Sequence, residues 1–171
     1  MLASAEPTQD FSVLDQQYKK LVAALLEVVG IPPSPVEVDV TPSGNFRGFD
    51  GNKFYVVQSG SLSARYHDKT VFVLQQGDML LPDITGLSNP DATVYFGSES
   101  GAVLESYPAL EFMSRVFSEP AAIKLWTRLL ITYAGLMVRI TASVSQEDSQ
   151  ATPGFEVYEP GQIIIRQGER A

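Results

Sequence analysis

The feature that most constrains the fold is a series of short β-rich segments in the middle of the chain. Apolar, β-branched and aromatic residues cluster at Phe54–Val57, Leu62–Tyr66 and Val71–Leu74, and turn sequences separate these clusters. Strand character returns at Ala92–Phe96 and Ala102–Glu105 after a loop rich in glycine, asparagine and proline. Runs of this length with turns between them are typical of consecutive antiparallel strands. The pattern predicts an all-β central region.

Helical patterns flank this region on both sides. Apolar residues recur at spacings of three and four over Phe11–Val29, and Gly30 with the prolines that follow it ends the pattern. A strand-like alternation covers Val36–Val40. After Tyr107 the helical period returns in a short helix and then in a long one over Ala121–Val144. The apolar stripe of the long helix is wider than one small β-domain can cover.

Composition excludes several classes of partner and chemistry. The 171 residues contain twenty acidic and twelve basic side chains, and the resulting charge of −8 repels nucleic acid and anionic membranes. The absence of cysteine excludes disulfides, thiolate metal sites and a cysteine nucleophile. No signal peptide precedes the first helix, and no window reaches the roughly 18 uncharged apolar residues of a membrane span. We expect a soluble, cytoplasmic protein that binds neither nucleic acid nor membrane.

Two strings carry a resemblance to a known family. Phe54–Leu62 reads Phe-Tyr-Val-Val-Gln-Ser-Gly-Ser-Leu, and Val71–Asp78 reads Val-Phe-Val-Leu-Gln-Gln-Gly-Asp. At this spacing they resemble the central strands of catabolite-activator-like cyclic-nucleotide-binding domains, and the similarity extends over Val36–Val144. The resemblance implies a mainly β fold with flanking helices: an antiparallel, jelly-roll-like β-roll, or double-stranded β-helix. It also implies a sensory role in signal transduction, because in that family the helices after the roll transmit ligand occupancy to a partner domain.

The last residues resemble the family a second time. Tyr158–Glu169 is similar to the opening strands of such a domain, so a tandem second copy is expected to begin here; the alternative is a last strand of the first domain. The predicted division is therefore an N-terminal helix and lead-in at 1–35, a β-roll sensory domain at 36–105, a short and a long helix at 106–145, and a linker with the start of a truncated second copy at 146–171.

The resemblance places a ligand-binding segment after Gly77-Asp78. In the family a short helix N-terminus and backbone N–H groups bind the cyclic phosphate, an arginine neutralises it, and a glutamate binds the ribose hydroxyl. The family's Gly-Glu pair falls on Leu81 and Pro82, and its arginine falls on Pro90 or Asp91, so none of these positions matches. The candidate ligand-binding residues are Leu81, Pro82, Asp83, Ile84, Thr85, Ser88, Asn89, Pro90, Asp91, Ala92 and Thr93.

The charge of this segment predicts weak or lost binding of cyclic AMP and cyclic GMP. No lysine or arginine lies between Lys69 and Arg115, and Asp83, which could replace the glutamate, adds a negative charge. Arg47 or Arg65 would have to reach the segment from another strand, and the alternative places both on solvated strand faces. The threonine, serine and asparagine side chains of the segment could still bind a neutral or differently shaped ligand.

The sequence contains no motif that supports catalysis or metal binding. A cupin-like metal site needs several histidines, and the chain has only His67, in a predicted turn. No Gly-x-Ser-x-Gly elbow and no glycine-lysine phosphate loop occurs. Acidic residues in turns, such as Asp83 and Asp91, are usually caps or solvated charges. We therefore expect no enzyme, no metal and no cofactor.

Two functional hypotheses remain from different classes. One is a ligand sensor whose specificity has changed, and the other is a module that has lost its ligand and works by protein contact through the long helix, Ala121–Val144. That helix is also the expected surface for a homodimer. The regulated activity is expected to lie in an output domain or a second sensory domain of the parent chain.

Overall fold

A computed structural model describes residues 2–3, 9–40, 49–66, 69–81 and 95–150. Its elements are β1 (Leu2–Ala3), α1 (Gln9–Val29), β2 (Ser34–Val38), β3 (Lys53–Tyr66), β4 (Lys69–Gln75), β5 (Met79–Leu80), β6 (Tyr95–Gly97), β7 (Ala102–Pro108), α2 (Ala109–Ser118) and α3 (Pro120–Gln150). Every strand pair is antiparallel. The predicted class, an antiparallel β-roll with flanking helices, is confirmed.

Strand β3 organises the sheet. The path of neighbouring strands is β1-β4-β3-β7-β2, and β5 and β6 also pair with β3. The first part of β3, Lys53–Gly60, pairs with β7 and β5, whereas the second part, Ser61–Tyr66, pairs with β4 and β6. One 14-residue strand therefore belongs to both ladders of the roll.

The predicted turn at Gln58–Gly60 is wrong. The residues lie inside β3, where the register with β7 shifts between Val57 and Ser59 and the strand bends. Gly60 has a φ of 75°, and a Cβ at this position would overlap the carbonyl oxygen of Gly101. Turn-like sequence and a bend in a continuous strand both require glycine here, so local sequence does not distinguish them.

The core lies where the roll, α1 and α3 meet. Helix α1 contributes Tyr18 and Leu25, both fully buried, and packs along α3. An aromatic cluster fastens the last two helices to β3: the ring centroids of Phe54 and Phe112 are 4.6 Å apart, and Trp126 meets Phe54 edge-on at 5.8 Å. The helices therefore share one core with the strands instead of forming a separate layer.

Several element boundaries differ from the sequence prediction. Strand β2 begins at Ser34, inside the predicted lead-in, and β7 continues to Pro108, inside the predicted helical region. Pro120 starts α3, as expected for proline in the first turn, and α3 continues to Gln150, so that five residues of the predicted linker are helical. The proposed second copy at 155–171 lies outside the described residues.

Candidate functional site: the Gly-Asp turn and helix α3

The Gly77-Asp78 turn is fixed to β3 by its backbone. The Gly77 amide donates to the Val57 carbonyl oxygen at 2.9 Å, and the Val57 amide donates to the Asp78 carbonyl oxygen at 3.0 Å. Gly77 has a φ of 84°, which a residue with a Cβ rarely adopts. Inside the turn, the Gln75 amide donates to Asp78 Oδ2 at 2.7 Å. The turn thus sets the position from which β5 leads into the candidate ligand segment.

The carboxylate of Asp78 is fully buried and faces a lysine from α1. Lys19 Nζ lies 4.0 Å from Asp78 Oδ1 and 3.0 Å from Asp15 Oδ2. Burial raises the pKa of Asp78 above its ordinary value, although the Gln75 amide and the Lys19 charge oppose this shift. Burial alone would lower the pKa of Lys19, but the two carboxylates outweigh it and raise this pKa.

Lys19, the lysine of α1 that lies beside the turn, is therefore already paired with carboxylates of the chain itself. Two carboxylates already pair with Lys19, so the charge of this lysine is compensated before an anionic ligand could use it. Sequence reasoning did not anticipate the contact, because Lys19 and Asp78 are far apart in the chain. The local signal was only that Lys19 follows the apolar position Tyr18 in a helical pattern.

Of the predicted ligand-binding residues, the structure describes Leu81. It follows β5 and packs half-buried against the core. The other ten predicted site residues lie outside the described residues: Pro82, Asp83, Ile84, Thr85, Ser88, Asn89, Pro90, Asp91, Ala92 and Thr93. The strands on either side are placed, since β5 pairs with Tyr55 and Val56 and β6 pairs with Ser63–Arg65.

Arg65 lies in the second part of β3, and its Nε atom is shielded from solvent. Strand alternation puts it on the same face as Ser61 and Ser63, opposite the fully buried Leu62 and Ala64. It is half-buried, and its register partner in β6 is Tyr95. Arg47, the other arginine considered for the phosphate, lies outside the described residues, as does His67.

A shallow groove at the edge of the sheet was not anticipated from the sequence. It has a volume of about 420 Å³ and is lined by residues 37–40 of β2 and its extension, by Ser59 and Gly60 of the β3 bend, and by residues 100–103 before and in β7. Glu37 and Asp39 give it acidic character. Among the described residues no group of three histidine, cysteine or acidic side chains is positioned to hold a metal ion.

Helix α3 presents three different faces. Its inner face packs on the domain through four buried apolar residues: Ala122, Leu129, Leu136 and Ile140. An outer face is apolar and exposed, with Ile131 and Val138 each 68% exposed and Ile123 and Leu130 close to 40%. Lys124, Arg128 and Arg139 occupy a third, exposed face. Four apolar residues of α3 thus lack cover within the described part of the chain, and two of them, Ile123 and Leu130, belong to the predicted apolar stripe.

One helix among the described residues, Pro120–Ala142, is long and apolar enough to cross a membrane by length and composition. Its inner face is accounted for by packing on the domain, and its third face carries three cations. Core helices of water-soluble domains meet the same criterion, so the helix alone does not make the chain a membrane protein.

No protein-family model and no curated protein matches the chain. Solved structures do match, among them three with TM-scores above 0.5. The haem domain of CooA from Rhodospirillum rubrum is 13% identical with a TM-score of 0.53; the match covers 75% of this chain and 96% of that domain. The reduced CO-sensing protein from the same organism is 14% identical with a TM-score of 0.52, covering 75% of this chain and 61% of that protein.

The third is the c-di-GMP-responsive global regulator CLP of Xanthomonas campestris, which is 14% identical with a TM-score of 0.51; the match covers 75% of this chain and 63% of the regulator. The chain thus spans about three fifths of the two whole regulators that it matches. Identities this low establish a common architecture and no more. The chain has the β-roll fold of the cyclic-nucleotide-binding domain.

Proposed function

We propose that this chain is a non-catalytic regulatory module of the cyclic-nucleotide-binding type that acts through contacts of α3 and binds cyclic nucleotides weakly or not at all. Its fold is that of sensors and regulators such as CooA and CLP. The exposed apolar face of α3 carries the proposal, because apolar side chains of this size are costly to leave in water and mark a surface for a partner.

The weak nucleotide binding follows from charge. The 45 residues from Thr70 to Ser114 contain no lysine or arginine, and Lys19 is engaged by Asp15 and Asp78. A charge-assisted hydrogen bond contributes about 1.5–3 kcal/mol, so its loss weakens binding roughly 10- to 150-fold. Asp83 and Asp91 add repulsion. A site of this kind would not respond to micromolar cyclic AMP.

The outer face of α3 has the spacing of a self-associating helix. Ile123, Leu130 and the half-buried Met137, which also packs against the core, are seven residues apart, and Thr127, Ala134 and Thr141 form a second series offset by four. In heptad notation the first series occupies d positions and the second occupies a positions. The small residues of the second series would let two helices approach closely. We therefore propose a homodimer with α3 against its symmetry mate.

The second candidate function is a sensor with changed specificity. The segment 82–94 has no cation but carries hydroxyl and amide groups at Thr85, Ser88, Asn89 and Thr93, which suit an uncharged ligand. One matched structure is a haem domain and another is a c-di-GMP-responsive regulator, so this fold serves different ligands in different proteins. The candidate ligand-binding residues, Leu81–Thr85 and Ser88–Thr93, are proposed for this role.

Isothermal titration calorimetry of the purified chain with cyclic AMP and cyclic GMP, up to millimolar ligand, tests the ligand side of the proposal. We expect no saturable heat at micromolar concentration. Saturable micromolar binding of either nucleotide would overturn the proposed loss of binding and would favour the sensor.

Analytical ultracentrifugation tests the α3 surface. Ala134→Lys places like charges across the proposed seam without removing any internal packing, because Ala134 is exposed. We expect the wild-type chain to sediment as a dimer and Ala134→Lys as a monomer. Leu110→Lys is the matched control: it introduces the same charge at an 88% exposed position of α2 and should leave the dimer intact. A monomeric wild-type chain would contradict the homodimer.

The wider setting is also part of the proposal. We place the module in the cytoplasm, within a parent protein whose output domain or second sensory copy lies outside the residues described. The negative charge argues against nucleic-acid binding by this chain alone. That exclusion does not extend to a parent protein, since CLP, of which the match covers 63%, is described as linking signalling to gene expression.

A further inference from the structure

Helix α1 makes a specific polar contact with the strand that leads into the candidate ligand segment. Tyr18 is fully buried, and its hydroxyl donates to the carbonyl oxygen of Met79 at 3.0 Å. Burial raises the pKa of Tyr18 well above its ordinary value, so the hydroxyl keeps the proton that it donates. Met79 is the first residue of β5. The contact therefore fixes the backbone two residues before Leu81.

The next residue of α1 contacts the same turn. Lys19 Nζ lies 4.0 Å from the buried carboxylate of Asp78, and Asp15 holds the ammonium group at 3.0 Å from the other side. A Cβ built on Gly77 would lie 3.4 Å from Cγ of Lys19, so the lysine stem also packs closely over the turn. Two consecutive side chains of α1 thus contact three consecutive residues of the roll.

The same tyrosine reaches the long helix. The ring centroids of Tyr18 and Tyr133 are 5.9 Å apart, and Tyr133 lies on α3 between the buried Leu129 and Leu136. Tyr18 is therefore in contact with both the start of the candidate ligand segment and the helix proposed to bind a partner.

We propose that Tyr18 and Lys19, with Asp78 and Met79, form an internal lock that holds β5, the strand leading into the candidate ligand segment, and α3 in one arrangement. In this arrangement Tyr18 and Lys19 are positioning residues. A partner that displaced α1 would release the β5 end of the segment and the inner face of α3 together. The lock rests on the described contacts alone and holds whether or not the chain dimerises or binds nucleotide.

Amide hydrogen exchange of the ligand-free chain tests the lock, with Tyr18→Phe and Lys19→Met as separate variants. The phenylalanine variant keeps the buried ring and removes the hydroxyl, and the methionine variant keeps most of the stem and removes the charge. We expect exchange at Leu80, at Leu81 and in α3 around Tyr133 to rise about fivefold in each variant. Amides of the β2–β7 ladder should exchange at the wild-type rate.

Two variants serve as controls. Lys20→Met removes the exposed neighbouring charge, and Tyr107→Phe removes a buried hydroxyl that donates to Glu105 Oε2 at 2.7 Å. Neither should change exchange at Leu80, at Leu81 or around Tyr133. A uniform rise in amide exchange over the whole chain would mean that Tyr18 and Lys19 only stabilise the fold in general. A rise confined to α1 would mean that α1 does not hold β5 or α3 in place. Either result overturns the lock, and if Tyr18→Phe does not fold, Lys19→Met alone decides.

Discussion

The Gly-Asp turn and the outer face of α3 differ in how their side chains are accommodated. At the turn, buried polar groups are satisfied from within the chain: the Asp78 carboxylate accepts from an amide and faces Lys19, and the Met79 carbonyl accepts from Tyr18. On α3, Ile131 and Val138 are left in water. The turn needs no external group for its stability, whereas the helix face gains from one. The two regions therefore differ in role: the turn stabilises the module internally, and the helix face is the surface proposed to contact a partner.

The largest expected effect distinguishes two sides of α3. Leu129→Ala removes a fully buried side chain and should lower the free energy of unfolding by about 2–5 kcal/mol. Ile131→Ala, two residues along the same helix, should cost less than about 0.5 kcal/mol in the monomer. Urea denaturation at a protein concentration below that of dimerisation measures both. Equal costs would mean that another part of the chain covers the outer face.

A second prediction concerns the turn. Asp78→Ala removes the acceptor for the Gln75 amide and should cost about 1–3 kcal/mol. Asp78→Asn keeps an acceptor and removes the charge, so its cost should be smaller. Chemical denaturation of the two variants at one pH gives the comparison. If the two variants lost the same stability, the carboxylate charge, not the hydrogen bond, would be the stabilising feature.

The raised pKa of Asp78 also predicts how the stability of the wild-type chain, compared with that of Asp78→Asn, changes with pH. Burial raises this pKa in the folded state above the ordinary 3.8, so the folded chain holds the proton more tightly than the unfolded chain. The stability contributed by protonation is present at low pH and is lost as the pH rises through the folded value. Wild type should therefore lose stability relative to Asp78→Asn as the pH rises from 3.8 through that value. Denaturation midpoints across this range test the sign, and an opposite trend would contradict the raised pKa.

The smallest loss of stability is expected from removing the partly exposed ion pair between Asp15 and Lys19. Asp15→Asn removes the i,i+4 pair with Lys19, which should cost about 0.2–0.5 kcal/mol and less at high salt. Thermal melts at two salt concentrations measure it. A larger, salt-independent loss would place Asp15 within the buried part of the lock.

The sequence predicted periodic features well and long-range contacts poorly. Alternation and helical spacing located α1, α2, α3 and most strands, because burial of one face imposes a period on the residues. The sequence did not predict that β3 is continuous, because a glycine such as Gly60 is equally suited to a turn between two strands and to a bend within one. The role of α1 was missed because Tyr18 and Met79 are 61 residues apart, and no local pattern reports their hydrogen bond. The predicted ligand residues rest on a family resemblance, and of these the structure describes Leu81.

The shared course of β3 has a mechanical consequence. The strand before the candidate ligand segment pairs with Tyr55 and Val56, and the strand after it pairs with Ser63–Arg65, so both ends of the segment are anchored to one strand on either side of the Gly60 bend. The angle of that bend sets the span that the segment has to bridge. A Cβ on Gly60 would overlap the carbonyl oxygen of Gly101, so a larger residue at Gly60 would change the distance between the two anchor points.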